Sequence, residues 1–338
     1  MPLTFEIAPS IDTQAKETFE KDARFVWAVY QGLWEENGIP ESEVRLVLSD
    51  DFTADVRRLI RPAAGGEPSF SPERVGGLAA AKNLPQVPDY SEVAIVFDAR
   101  HWVGEGDQPE QARFQQISLI AHELAHPPLE RVLHVSGAIQ EPSPTAGGTE
   151  MLRNAARVIA NEYRADRAAD VVMRELATTE GGAKAGTWEA FGSRDCATLL
   201  EALTAAHPAW PDMVNAYRIR DLNLMRFLEK IFSAVGGTLV LLTHVQASAD
   251  GAEQDLLGAA DFEPLPAVRL YIAEPWGVFM NELRGHRMLP RPDETIADDA
   301  ALSRAGEELQ REILSRLGLK IDDLDHGAYY VHVAEPLR

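Results

Sequence analysis

Two histidines four residues apart, with a glutamate beside the first, constrain this chain more than any other feature. The stretch His122-Glu123-Leu124-Ala125-His126 has the form H-E-x-x-H. On an α-helix, positions i and i+4 share one face, about 6 Å apart along the axis. Both imidazoles can then reach one tetrahedral metal ion. The Glu123 carboxylate sits where it can take a proton from water activated by that ion. The motif therefore demands a helix at this place, and the neighbouring sequence must supply it.

The flanking residues do so. Residues 91–98, Ser-Glu-Val-Ala-Ile-Val-Phe-Asp, read as the clearest strand of the chain. A loop with Gly104, Gly106 and Asp107 follows, and Pro109 suits the first turn of a helix. That helix carries Phe114, Ile117, Ile120, Ala121 and Leu124 at helical spacing and runs into the motif. Pro127-Pro128 is expected to end it there, which would also destroy any register between His126 and His134.

A catalytic zinc site takes three protein ligands and keeps a fourth position open. The three-histidine continuation H-E-x-x-H-x-x-G-x-x-H is excluded, because position 129 is Leu and position 132 is Val. A second helix is expected from Thr149, a plausible N-cap, to about Ala177, and it carries Asn161-Glu162-Tyr163-Arg164-Ala165-Asp166. Glu162 and Asp166 share one face of it. Glu162 can ligate zinc, and Asp166 can accept the outer N–H of a ligand histidine, fixing its tautomer.

These two segments together resemble the gluzincins, the thermolysin-like zinc metallopeptidases, over roughly residues 75–175. The resemblance implies one zinc ion per chain held by His122, His126 and Glu162. It also implies Glu123 as general base and Asp166 as support for a ligand histidine. The strand before the active helix would be an edge strand that holds an extended substrate by backbone pairing. Within the group, the chain is similar to the ImmA/IrrE-type bacterial peptidases, without their companion helix-turn-helix domain. The mechanism implied is hydrolysis of a peptide bond. Glu123 takes a proton from water and returns it to the leaving amine, and a donor from the C-terminal half stabilises the oxyanion. Tyr271, His244, His286 and Arg284 are the candidates for that donor, each with a structural role as the alternative.

Charge and composition limit the remaining classes. Acidic residues outnumber basic ones by 53 to 32, a net charge of −21, with no run of Lys or Arg to offset it. Such a surface repels phosphate backbones, so no nucleic-acid partner is expected, only a protein or peptide substrate. The lone Cys196 permits no internal disulfide and suits a reducing cytoplasm; it reads as a buried or half-buried small residue. The N-terminus has no basic and apolar regions of a secretory signal. The apolar run from Ala234 to Val245 reads as too short to cross a bilayer, so no membrane partner is expected.

The rest of the chain places the site. A helix is expected over 13–36 closed by Asn37-Gly38, a strand at Val44 to Leu48, and a short helix near 52–60. Loops are read at 61–72 and 180–187, a strand or turn at Val75 to Ala81, and an exposed loop at Glu141 to Gly148. Helices fill most of the chain to about 245 and again near 297–318, with strands at Val268 to Ala273 and Ala328 to Val333. The expected fold class is α+β and zincin-like, a small mixed sheet packed on the active helix. One lobe spans residues 1–130 and ends in the motif; a mainly helical lobe, 131–338, carries the third ligand. Asp170 is expected as a surface charge or as a support behind a metal ligand, and the run Asp322, Asp323 and Asp325 as solvated surface; His101, beside Trp102 after the strand, is expected in a capping or packing role, with a place near the site as the alternative. Two competing readings stand beside the peptidase. One is a non-catalytic binding or sensing protein on the same scaffold. The other is a purely structural metal site, for which four ligands are expected and three are found.

Overall fold

The computed structural model describes residues 3–60, 81–102, 109–139, 147–179, 186–324 and 329–334. The expected loops at 61–72, 141–146 and 180–185, the segment 75–80 and Asp325 lie outside them. The fold is α+β, predominantly helical with a small mixed sheet. Two compact units interleave along the chain: Met1–Ile139, Arg167–Ala190 and Met288–Ile296 form the first, and Gln140–Asp166, Phe191–Arg287 and Ala297–Arg338 the second.

The first unit is built on β1 (Leu3–Ile7), α1 (Thr13–Asn37), β2 (Glu43–Ser49), α2 (Phe52–Leu59), β3 (Ala81–Pro85), β4 (Glu92–Asp98) and α3 (Pro109–Ser136). The strand order is β1-β2-β4-β3. The first three are parallel, and β3 runs antiparallel to β4. The strand at 92–98 is therefore interior, and the expectation that it forms the sheet edge is corrected. It is a nearly continuous apolar run because both its faces are covered. Ala94 and Val96 join Val47, Phe52, Val56, Leu59 and Leu84 in a core under α2. Phe97 points the other way, into an edge-to-face cluster with Phe19 and Trp102 that Phe5 extends. Among the described residues, the edge on this side is β3.

Helix α1 starts at the Asp12 cap and ends at Gly38, whose left-handed backbone (φ 65°) only glycine adopts readily. It packs on α3. Its buried Tyr30 donates to the Ala121 carbonyl oxygen at 2.7 Å, one residue before His122. Arg113 of α3 bonds the buried Asp22 of α1 at 3.1 Å.

The proline pair does not end α3. The helix continues through Pro127 and Pro128 to Ser136, so His134 stays in register with His126 and stacks on Tyr90. Pro127 lacks the N–H that would bond the Glu123 carbonyl one turn back. The Asn83 amide of β3 takes that place, donating to the Glu123 carbonyl oxygen at 3.2 Å. Both prolines are buried, so tertiary packing supplies what the local bonding loses.

Helix α4 (Gly148–Thr179) belongs to the second unit up to Asp166 and to the first from Arg167. In the first unit, Asp170 is no surface charge. It is buried, and its carboxylate accepts from Thr187 N (2.9 Å), Thr187 Oγ1 (3.0 Å) and Arg174 Nε (2.8 Å). It thereby caps the start of α5 (Thr187–Arg218).

The second unit holds most of α5 with α6 (Leu224–Gly251), α7 (Ala273–Gly285), most of α8 (Thr295–Arg316) and the antiparallel hairpin β5–β6 (Leu319–Asp323, Tyr329–Val333). The Thr149 side chain is not its own helix cap. Asp323 of β5 accepts from the Thr149 backbone N–H at 3.1 Å, so this aspartate caps α4 from outside and is not merely solvated. Helices α4 and α8 approach closely: a Cβ at Gly306 would collide with that of Ala156. Arg157 binds Asp299 across the same contact (Nε–Oδ1 2.9 Å, Nη2–Oδ2 3.0 Å).

Two further expectations are corrected. Residues 268–272 form a π-helical turn leading into α7. Val268, Tyr271 and Ile272 are buried and Leu270 is exposed, a spacing that continues through Trp276, Phe279, Met280 and Leu283. That is helical periodicity, not alternation. The apolar run at 234–245 is the middle of α6, which is long and apolar enough to cross a membrane by length and composition. Half of its most apolar stretch is buried within the protein.

Candidate metal centre

Helix α3 brings the motif to one half-buried face. Ala121, Leu124 and Ala125 turn into the core while His122, Glu123 and His126 remain partly accessible. The two Nε2 atoms lie 3.1 Å apart, with the rings edge to face. A tetrahedral ion with bonds of about 2.0–2.1 Å separates two nitrogen ligands by about 3.3 Å. The pair thus fits one zinc ion with almost no movement.

Glu123 is held from the sheet. The Asn83 amide donates to its carboxylate as well as to its carbonyl. One side chain therefore sets both the helix backbone at the proline step and the orientation of the motif carboxylate. Asn83 stands on β3 opposite Ile95, and its own Oδ1 is buried without a hydrogen-bond partner. No sequence motif marks Asn83. Its place follows from strand pairing alone.

Glu162 and Asp166 stand one turn apart in the second unit. His244 of α6 meets both: its Nδ1 lies 2.6 Å from Asp166 Oδ2 and its Nε2 lies 3.9 Å from Glu162 Oε2. Asp195 is near this group, and burial raises its carboxyl above the usual range against the opposing Arg194 and His244. Next to Glu162, Tyr163 donates to Asp250 at 2.7 Å, and Arg284 Nε bonds the same carboxylate at 2.8 Å. Burial opposes charge on Asp250, but the bonds from Arg284, Tyr163 and Gln246 outweigh it and hold the carboxyl below its usual range. Arg164 is buried. Loss of water lowers its guanidinium to about 10, against the opposing charges of Asp298 and Asp299.

Among the described residues, the side chains grouped so that they could hold a metal ion are His122 and His126 in the first unit and Glu162, Asp166 and His244 in the second. Of the four oxyanion-donor candidates, three are engaged elsewhere. Arg284 is paired with Asp250, His286 lies between Asp298 (2.8 Å) and Glu282 (3.0 Å), and Tyr271 is buried beside His207. His101 is exposed on a short turn while Trp102 is buried in the aromatic cluster, and Cys196 is half-buried.

No family model, no curated protein and no solved structure matches this chain. The class that the fold defines is α+β.

Proposed function

We propose that this protein is a zinc-dependent peptidase of gluzincin-like form, in which His122, His126 and Glu162 hold one zinc ion and Glu123 is the general base. The observation that carries the reading is the convergence of the His122 and His126 Nε2 atoms, 3.1 Å apart, beside a Glu123 carboxylate fixed by Asn83. A retired site has no need of an oriented base. For the third ligand, the support is donor chemistry: Glu162 offers a carboxylate oxygen of the kind zinc takes.

When bound, zinc supplies Lewis acidity that polarises a carbonyl and brings the pKa of water to about 7. The chain's own residues do the rest. The Glu123 carboxylate accepts a proton from the attacking water and delivers it to the nitrogen of the leaving amine. Asn83 keeps that carboxylate from rotating away. The β3 edge offers backbone donors and acceptors to an extended peptide, which would pair there as an added strand.

Metal analysis of the purified chain after zinc loading tests the reading. One zinc per chain is expected, with affinity falling at least tenfold in His126→Ala and in Glu162→Gln and unchanged in Glu123→Gln. A Glu162→Gln chain that binds zinc as the parent does removes Glu162 from the ligand set. A parent chain without zinc overturns the proposal.

A further inference from the structure

The turn between α5 and α6 carries a cationic cleft with exposed apolar residues beside it. We infer that this corner docks on an anionic lipid bilayer and seats a headgroup phosphate between Arg218 and Arg220. The corner lies wholly in the second unit, and its role is independent of the zinc reading. Helix α5 ends here with Arg220 in the left-handed region (φ 66°), a place that glycine usually fills. The Arg220 N–H donates to the Tyr217 carbonyl oxygen at 3.0 Å and the Asp221 N–H to that of Ala216 at 2.9 Å, which turns the chain back into α6. Tyr217 stacks on the buried Phe227 of α6, ring centres 4.6 Å apart, and so fixes the corner.

The cleft measures about 530 Å³ and is walled by Tyr217, Leu222 and Val333, with Arg218, Arg220 and Asn223 as its polar lining. Arg218 is half-buried, and its Nη2 has no hydrogen-bond partner among the described residues. A guanidinium N–H left without an acceptor costs stability, and phosphate oxygens match its planar fork. A turn about the end of the side chain brings that N–H to an anion in the cleft. Asn223 Oδ1 accepts from Arg226 N at 3.0 Å and caps α6, which leaves the Asn223 NH2 as a further donor. Residues 218–230 hold four cations, Arg218, Arg220, Arg226 and Lys230, against the two acids Asp221 and Glu229, in a chain of net charge −21. An anionic surface repels most of such a chain and draws in this corner. Ile219, Leu224 and Met225 are exposed at the same corner, and Met225, at 74 %, is the most exposed large apolar side chain among the described residues. Cations that meet headgroups, with apolar side chains beside them to enter the acyl boundary, are the two halves of a bilayer-docking surface.

Co-sedimentation of the full chain with vesicles of phosphatidylcholine, alone or mixed with phosphatidylserine, tests the inference. Binding is expected to the mixed vesicles only, and to weaken as salt rises. One arginine near such a surface contributes about fivefold in affinity, so Arg218→Ala and Arg220→Gly combined are expected to weaken binding about thirtyfold. Arg220→Gly spares the fold, because glycine adopts this backbone more readily than arginine. Met225→Ser is expected to weaken binding about fivefold or more with the salt dependence unchanged. Equal binding to both kinds of vesicle, binding to neither, or parent-like binding by the double arginine variant overturns the inference. Uptake of inorganic phosphate without vesicle binding assigns the cleft to a free anion and overturns the bilayer. Self-association that Met225→Ser abolishes, again without vesicle binding, assigns the corner to a second copy of the chain and overturns it too.

Discussion

Asn83 on β3 donates from one amide to both the side chain and the main chain of Glu123 on α3. The bond to the main chain fills the place left by the missing N–H of Pro127; the bond to the carboxylate aims the proposed base. Edge strand, proline step and base are one local unit, held within a single compact part of the chain.

Removing Asn83 is expected to affect rate more than metal. In Asn83→Ala the carboxylate loses a directing bond worth on the order of 1–2 kcal/mol, so kcat is expected to fall about tenfold. Zinc content is expected to stay at that of the parent. Steady-state kinetics with metal analysis on the same sample checks this; a fall in zinc with no fall in kcat per bound zinc contradicts it.

The proline pair is expected to cost stability. Pro128→Ala restores a backbone donor inside α3, and melting of the zinc-free chain is expected to show a gain of about 1–3 kcal/mol. Pro127→Ala is expected to gain less, because the Glu123 carbonyl already has Asn83 as a partner. Equal gains at both positions would contradict the role given to Asn83.

The motif itself was legible because its geometry is local: i and i+4 on a helix converge whatever the remainder of the chain does. The helices over 13–37, 52–59 and 148–179 and the strands at 43–49 and 92–98 were legible from periodicity and end signals. What failed depended on partners distant in sequence. The helix through Pro127-Pro128 survives because a side chain some 40 residues earlier replaces a lost bond. The interior place of β4 follows from β3, a strand whose Ala-Lys-Asn-Leu-Pro sequence carries no alternating signal. The 268–272 turn looked like a strand when taken alone; its helical spacing emerges only when read on into α7. In the sequence His244 is only one of four oxyanion candidates, because the aspartate that bonds it lies 78 residues away.

Tyr30 is expected to steady the motif from behind. Tyr30→Phe removes a buried hydrogen bond to the carbonyl just before His122, at a cost of about 1 kcal/mol. Chemical denaturation with zinc removed reads it directly, as a lower midpoint with an unchanged denaturant slope.

The Asp250 network is expected to set part of the acid sensitivity. Its carboxyl is held below the usual value, so its stabilising effect is complete above about pH 4, the unfolded value, and is lost as pH falls through the lower folded value. Arg284→Met removes the strongest of the bonds that lower it. The native carboxyl then rises, and the acid-unfolding midpoint is expected to move to higher pH. A midpoint that stays put or moves down contradicts the assignment.

Hydrolysis of a mixed peptide library by the zinc-loaded chain, with Glu123→Gln alongside, tests the central claim most directly. Cleavage by the parent and a loss of about a hundredfold or more in the variant, with one zinc still bound, is the expected result. Equal cleavage by both chains, or no cleavage by a fully zinc-loaded parent, would contradict a zinc peptidase built on Glu123.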